Sequence, residues 1–231
     1  GKTNEAIMEN IQPYSRENPS PRYQELTRLY GEMHAKKGGE EGSDSEEVFK
    51  GFSLLPHAET VKGLIGHTKA KTILDYGSGK GQQYKNVTME TPDGSKFKNV
   101  GKYWGVRQVA CFDPGVRAFS KMPSKQFDGV VSTDVLEHCP KEDLPWILQE
   151  IVDKAGKFIF ATVAMYPASK CLSNGENAHC TKRPPEWWQT LIDCVTATRP
   201  ELSYRFELHW VYEGSAQPTD RKPEIIERLV D

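Results

Sequence analysis

The chain has 231 residues, with 30 basic and 32 acidic side chains and a formal net charge of −2. This length can bury one substantial core, and the balanced charges argue against a basic nucleic-acid surface. No uncharged stretch approaches the length of a membrane span, and no signal-peptide pattern opens the chain. The five cysteines contain no C-x-x-C pair. This pattern predicts reduced thiols in a cytoplasmic protein.

The N-terminal part is predicted to be an irregular arm followed by helices. Residues 1–21 are polar and contain prolines, whereas residues 22–35 carry apolar side chains at helical spacing. A Gly-, Ser- and acid-rich loop follows at 38–47, and Pro56 begins a second helix. We expect residues 1–56 to form an arm and helical cap, and residues 57–231 to form the main domain.

The stretch 72–81 predicts a buried strand that turns sharply into a glycine-rich loop. Ile73 and Leu74 are apolar, and glycines follow at 77, 79 and 81. Glycines at such a turn let a ligand approach the backbone closely. The dinucleotide fingerprint G-x-G-x-x-G does not fit, because Gln82 stands where its third glycine would be.

The remaining segments predict an α/β sheet with helices on both faces. Strands are expected at 109–113, 127–133, 157–163 and 203–212, with helices at 143–152 and after Pro184. Residues 85–106 read as an insertion or lid, and residues 219–231 as a short helix or tail. Only about a dozen residues separate the strands at 113 and 127, so a third edge strand is predicted to be missing.

The pattern D-x-G-x-G-x-G at 75–81 resembles motif I of class I S-adenosylmethionine (SAM)-dependent methyltransferases. Residues 127–138, ending in Asp-Val-Leu-Glu-His, resemble a block of the small-molecule methyltransferases. The resemblance covers about residues 52–195 and implies a Rossmann-like sheet that binds SAM and releases S-adenosylhomocysteine. Segments such as 177–188 are also similar to bacterial and phage methyltransferases of surface-glycan gene sets, including those for O-methyl phosphoramidates.

In this interpretation the cofactor lies beyond the carboxyl ends of the strands. Asp113 is expected to accept both ribose hydroxyls, since a carboxylate offers two acceptor oxygens to a vicinal diol. The alternative is a strand-end acid exposed to water. Further cofactor contacts are expected from Asp75, Gly77, Ser78, Gly79, Gly81, Pro114, Ser132, Thr133 and Asp134. The missing edge strand leaves the contacts to the adenine amine unassigned.

Methyl transfer mainly needs alignment and exclusion of water, and it needs a base only if the acceptor carries a proton. Candidate catalytic residues are His138, His179 and His34, with Tyr30 one turn before His34; each histidine could instead be structural. No metal site is predicted, because Cys171, His179 and Cys180 have poor spacing for zinc.

The polar segment 174–183 favours a small hydroxylated or anionic acceptor, such as a sugar, phosphoryl group or glycan precursor, and therefore O-methylation. Nucleic acid and membrane partners are not expected. Alternatives are a methyltransferase of macromolecules, a non-catalytic SAM-binding module and, least favoured, a nicotinamide dehydrogenase. The sequence leaves the acceptor, the methylated atom and the oligomeric state open.

Overall fold

The computed structural model describes residues 13–35, 52–211 and 221–231. The loop expected at 38–47 lies outside these residues. The helices are α1 (Pro21–Ala35), α2 (Ala58–Thr68), α3 (Val100–Trp104), α4 (Leu144–Lys154) and α5 (Pro185–Thr196). The strands are β1 (Thr72–Tyr76), β2 (Met89–Glu90), β3 (Lys96–Phe97), β4 (Gln108–Phe112), β5 (Phe127–Thr133), β6 (Ala155–Ala164), β7 (Ser203–His209) and β8 (Glu224–Arg228). Short 3₁₀ turns include Phe52–His57 and Leu136–His138.

Six strands form the main sheet in the order β4-β1-β5-β6-β7-β8, and β2 and β3 form a separate pair. Neighbours in the main sheet are parallel except β8, which runs antiparallel to β7. The predicted α/β class is therefore confirmed. Residues 113–126 contain a 3₁₀ turn and no strand, so β4 forms the edge. This topology alone does not single out the methyltransferase sheet that we expected, because one sheet architecture hosts many functions.

The two faces of the sheet are covered by different helices, as expected. Helices α4 and α5 pack on one face through residues such as Leu148 and Ile192. Helices α2 and α3 cover the other face, where the Trp104 indole donates a 2.9 Å hydrogen bond to the carbonyl of Ala58. A smaller cluster joins Leu26 of α1 to Leu172 in the loop after β6. Helix α1 and this loop thus meet over one end of the sheet.

From residue 13 onward, the segment predicted to be an irregular arm is fixed to the main domain. The guanidinium of Arg16 donates to Glu150 Oε2 at 3.0 Å and to the Tyr76 hydroxyl at 2.9 Å. The backbone N–H and hydroxyl of Ser20 both donate to the buried carboxylate of Asp143. Sequence periodicity could not reveal these contacts, because their partners are more than 50 residues away.

The prediction for the charged C-terminal segment is wrong, since residues 224–228 form strand β8. The reason is that this edge strand buries only Ile226, which gives no apolar alternation to detect. None of the helices within 13–35, 52–211 and 221–231 is long and apolar enough to cross a membrane. All five cysteines are free thiols.

Candidate functional site

A pocket of about 700 Å³ lies at the carboxyl ends of β1, β4 and β5. Helix α1 and the loop after β6 form its opposite wall. Nine of the residues singled out in the sequence line it: Tyr30, Gly77, Gly79, Asp113, Pro114, Thr133, Asp134, His138 and His179. The topology therefore brings most of the candidate residues together at one edge of the sheet, as the position of ligand sites in parallel α/β sheets predicts.

The glycine bend after β1 is bonded to the end of β4. The backbone N–H groups of Gly77 and Ser78 both donate to the Phe112 carbonyl, at 2.7 and 3.1 Å. Gly77 has φ of +81°, and a β-carbon there would lie 2.3 Å from Val135 Cγ2. The glycine at 77 is thus required by the chain's own packing, a reason different from the ligand approach inferred from sequence.

Asp113 lies directly against the glycine bend. Its Oδ2 accepts a 2.8 Å hydrogen bond from the Gly79 N–H, and its Oδ1 accepts one of 2.9 Å from Gly115. Each carboxylate oxygen has a second lone pair, so the group can still accept hydroxyl donors from the pocket. This arrangement suits a vicinal diol.

Four of the expected cofactor residues are placed outside the pocket wall: Asp75, Ser78, Gly81 and Ser132. Asp75 is buried behind the glycine bend, where Tyr84 Oη and Gln83 Nε2 donate to its Oδ2 at 2.7 and 3.0 Å. Burial raises the pKa of Asp75 to about 7, although both donors oppose the rise. Asp75 therefore orders the loop rather than facing a ligand.

Thr133 and Asp134 end β5 at the floor of the pocket. The Ser53 and Thr133 hydroxyls lie 2.9 Å apart, which joins the turn before α2 to the site. Asp134 has φ of +54°, a left-handed conformation that is costly for a residue with a β-carbon. Its Oδ1 accepts a 3.1 Å hydrogen bond from Thr162, while burial raises its pKa.

The side chains of Tyr30, His138 and His179 meet on one wall. His138 Nδ1 donates to the Ala178 carbonyl at 2.9 Å and lies 2.7 Å from the Tyr30 hydroxyl. His179 Nδ1 donates to the Tyr166 carbonyl at 2.6 Å. In the neutral form of each ring, Nδ1 therefore carries the hydrogen and Nε2 keeps a lone pair that can bind a ligand. Burial, and then the neighbouring His179, lower the pKa of His138 to about 3.

The predicted candidate His34 belongs to the last turn of α1, and its side chain lies outside the described part of the structure. Glu137 precedes the candidate His138 in the segment 127–138, and its position in the sequence gave no sign of a functional role. This side chain is fully buried, and its Oε1 accepts a 3.2 Å hydrogen bond from the Ala164 N–H. Its Oε2 has no hydrogen-bond partner among the described residues. Burial, and then Asp134, raise the pKa of Glu137 well above its usual range.

Among the residues that the structure describes, two groups of three side chains have ligand atoms close enough to share a metal ion. Glu137, His138 and His179 form one group, and His57, Glu207 and His209 form the other. Within each group the ligand atoms lie within 4.8 Å of one another. In the first group, both histidines donate Nδ1 to a backbone carbonyl, as metal-ligating histidines commonly do. The two imidazoles and the carboxylate, with both rings oriented by these backbone hydrogen bonds, therefore fit a divalent ion.

No known family model matches the chain. A manganese-dependent ADP-ribose/CDP-alcohol diphosphatase of Oryza sativa subsp. japonica is 25% identical over 158 residues. The match covers 67% of this chain and 46% of the relative, so the chain spans about half the length of the protein it matches.

This comparison contradicts the prediction of a SAM-dependent methyltransferase. The relative is a metal-dependent diphosphatase by name, so methyl transfer, SAM as cofactor and S-adenosylhomocysteine as product are overturned. A macromolecule methyltransferase and a non-catalytic SAM-binding module find no support in it either. The physical reason is that a glycine bend beside a strand-end carboxylate suits ribose in ligands of many kinds. These motifs locate the pocket without fixing its reaction.

Proposed function

We propose that the pocket is the active site of a divalent-metal-dependent hydrolase acting on the diphosphate bond of a nucleotide derivative. The observation that carries the proposal is the group Glu137, His138 and His179 beside the wall of a pocket whose other side holds Asp113. The similarity to a manganese-dependent diphosphatase supports the same class of reaction.

Glu137, His138 and His179 would hold the ion. Two imidazoles and one carboxylate are a donor set that manganese and related ions accept, and three protein ligands leave positions open for substrate. The unpartnered Oε2 of Glu137 supports this role, because a buried carboxylate oxygen without a donor is costly unless something binds it. A bound divalent ion supplies Lewis acidity that stabilises charge on phosphoryl oxygens.

The nucleoside part of the substrate would lie toward β4. There the carboxylate of Asp113 accepts the ribose hydroxyls, and the Gly79 N–H fixes the orientation of that carboxylate at 2.8 Å. Pro114, Val135 and Ile147 give the pocket apolar walls suited to a base. The volume of about 700 Å³ accommodates a nucleotide-sized ligand.

The phosphates would then lie between Asp113 and the two histidines. Lys170 lines this pocket and offers a cation to a phosphate oxygen. Asp134 lies at the pocket floor, and its raised pKa suits a carboxylate that accepts a proton from an attacking water. Water adds to one phosphorus, the P–O bond to the bridging oxygen breaks, and two phosphate monoesters leave.

The test is hydrolysis of ADP-ribose and of CDP-glycerol by the purified chain with Mn²⁺, and again after treatment with a chelator. We expect two phosphomonoester products in the presence of Mn²⁺ and at least a tenfold loss after chelation. His179→Ala should lose activity, while the control His67→Ala, at an exposed site on α2, should keep it.

A calorimetric titration of the same protein with S-adenosylmethionine, with and without Mn²⁺, supplies a comparison ligand that has no diphosphate bond. Hydrolysis of neither diphosphate, together with Mn²⁺-independent binding of the comparison ligand, would overturn the proposal.

A further inference from the structure

A second group of ligand-type side chains lies outside the pocket wall. His57 ends the 3₁₀ turn Phe52–His57, whereas Glu207 and His209 lie on β7. Because side chains two residues apart on a strand point to the same face, Glu207 and His209 present their polar ends together. The rings of His57 and His209 meet with centroids 5.5 Å apart. Two distant parts of the chain thus converge on one point.

This group is nearly enclosed by protein. His57, Glu207 and His209 are 8%, 6% and 8% exposed, and the Phe160 ring lies 5.5 Å from that of His57. Because the ligand-type atoms of the three side chains lie within 4.8 Å of one another, a single ion between them could contact all three.

The separation between Glu207 and His209 is close to that of two ligand atoms on a shared ion. Glu207 Oε2 lies 3.7 Å from His209 Nε2, beyond the range of a good hydrogen bond. Two ligand atoms on one tetrahedral ion, each bonded at roughly 2.0–2.1 Å, are about 3.3 Å apart. The other oxygen of Glu207 is 3.4 Å from Arg205 Nε, which orients the carboxylate from outside the group.

We propose that His57, Glu207 and His209 form a second, structural site for a divalent transition ion, with Zn²⁺ as the favoured ion. Two imidazoles and a carboxylate suit Zn²⁺, and none of the three lines the pocket. The ion would join the turn carrying Ser53, which contacts Thr133 in the pocket, to the end of β7. The His209 carbonyl in turn accepts a 2.8 Å bond from the Met165 N–H, at the start of the loop over the pocket.

The experiment counts ions and uses Co²⁺ as a spectroscopic probe. The chain is stripped with chelator, loaded with Zn²⁺ or Co²⁺, and its metal content and visible absorption are measured. We expect Glu207→Gln and His57→Gln each to bind one ion fewer than the wild type, or to bind it at least about 100-fold more weakly. The intense Co²⁺ absorption of a low-coordinate site should be lost from both variants. Zn²⁺ should raise the Tm of the wild type, and either substitution should remove that rise.

Two controls separate this proposal from the pocket site. His67→Gln changes an exposed histidine and should keep the wild-type ion count. His179→Ala removes a ligand of the pocket group and should leave the Co²⁺ absorption and the Tm shift of the second site intact. If the proposed pocket site is absent, the wild type binds one ion and Glu207→Gln binds none. An unchanged ion count and Co²⁺ spectrum in both Glu207→Gln and His57→Gln would overturn the second site.

Discussion

The hydroxyl of Tyr30 lies 2.7 Å from Nδ1 of His138 and donates its hydrogen to the Ala178 carbonyl at 3.2 Å. A side chain of α1 therefore orients a ring of the pocket through a shared set of hydrogen bonds. Because the other nitrogen of that ring is the proposed metal ligand, α1 takes part in the site and does not merely cover it.

Tyr30→Phe tests this orientation. Loss of the hydroxyl removes one partner of His138 Nδ1, and we expect Mn²⁺ affinity to fall by about 10-fold or more, the scale for groups that support a metal ligand. Calorimetric titration with Mn²⁺ gives the Kd. Tyr14→Phe, at an exposed position, is the matched control. Equal affinities for both variants and the wild type would remove Tyr30 from the site.

Asp113→Ala tests the ribose end of the pocket. A charge-assisted hydrogen bond contributes roughly 1.5–3 kcal/mol, so we expect the Kd for ADP-ribose to rise by at least about tenfold. Isothermal titration with ADP-ribose measures this change. Asp153→Ala removes an exposed carboxylate from α4 and should leave the Kd unchanged. Wild-type affinity in Asp113→Ala would place the nucleoside elsewhere.

Gly77→Ala tests the packing reason for the first glycine of the bend. A left-handed φ costs about 1–2 kcal/mol for alanine, and the clash with Val135 adds about 1–3 kcal/mol. Gly94→Ala has a similar φ of +85° with nothing within 4 Å of the new β-carbon, so it reports the backbone cost alone. Urea denaturation compares the two. The clash is refuted if both substitutions cost the same, or if Val135→Ala fails to rescue Gly77→Ala.

Asp75 predicts a pH dependence of stability. Burial raises the pKa of its carboxyl to about 7 in the folded chain, above the value of about 3.9 in an unfolded chain. The folded state then holds the proton more tightly, so the contribution of Asp75 falls as pH rises from about 4 through 7 and is constant above that. The difference between wild type and Asp75→Asn in the free energy of unfolding, measured from pH 4 to 8, should show this slope. A difference independent of pH would contradict it.

The sequence was informative where local pattern decides structure. The apolar run before the glycines, Pro184 ahead of α5, and the strand-end position of Asp113 all predicted features that the structure shows. The contact between Asp113 and Gly79 followed from a general rule, because carboxyl ends of parallel strands meet at one edge.

Other features depend on partners distant in the chain and left no local signal. Glu137 lies close to His179 only because the loop after β6 folds back over the sheet. Glu207 lies close to His57 only because the folded sheet places β7 next to the turn that ends at His57. The reaction class was missed for a related reason. A glycine bend beside a carboxylate indicates where a ribose can bind but carries no information about the group attached to it.

The attachment of Ser20 to Asp143 has a practical consequence for anyone preparing shortened versions of this protein. A version that starts after position 20 would remove two hydrogen-bond donors from the buried carboxylate of Asp143. Among the described residues, the Trp146 indole would then be the remaining side-chain donor to that carboxylate. Recombinant boundaries drawn at the first residue of α1 should therefore yield poorly folded material, whereas boundaries at or before residue 13 should not.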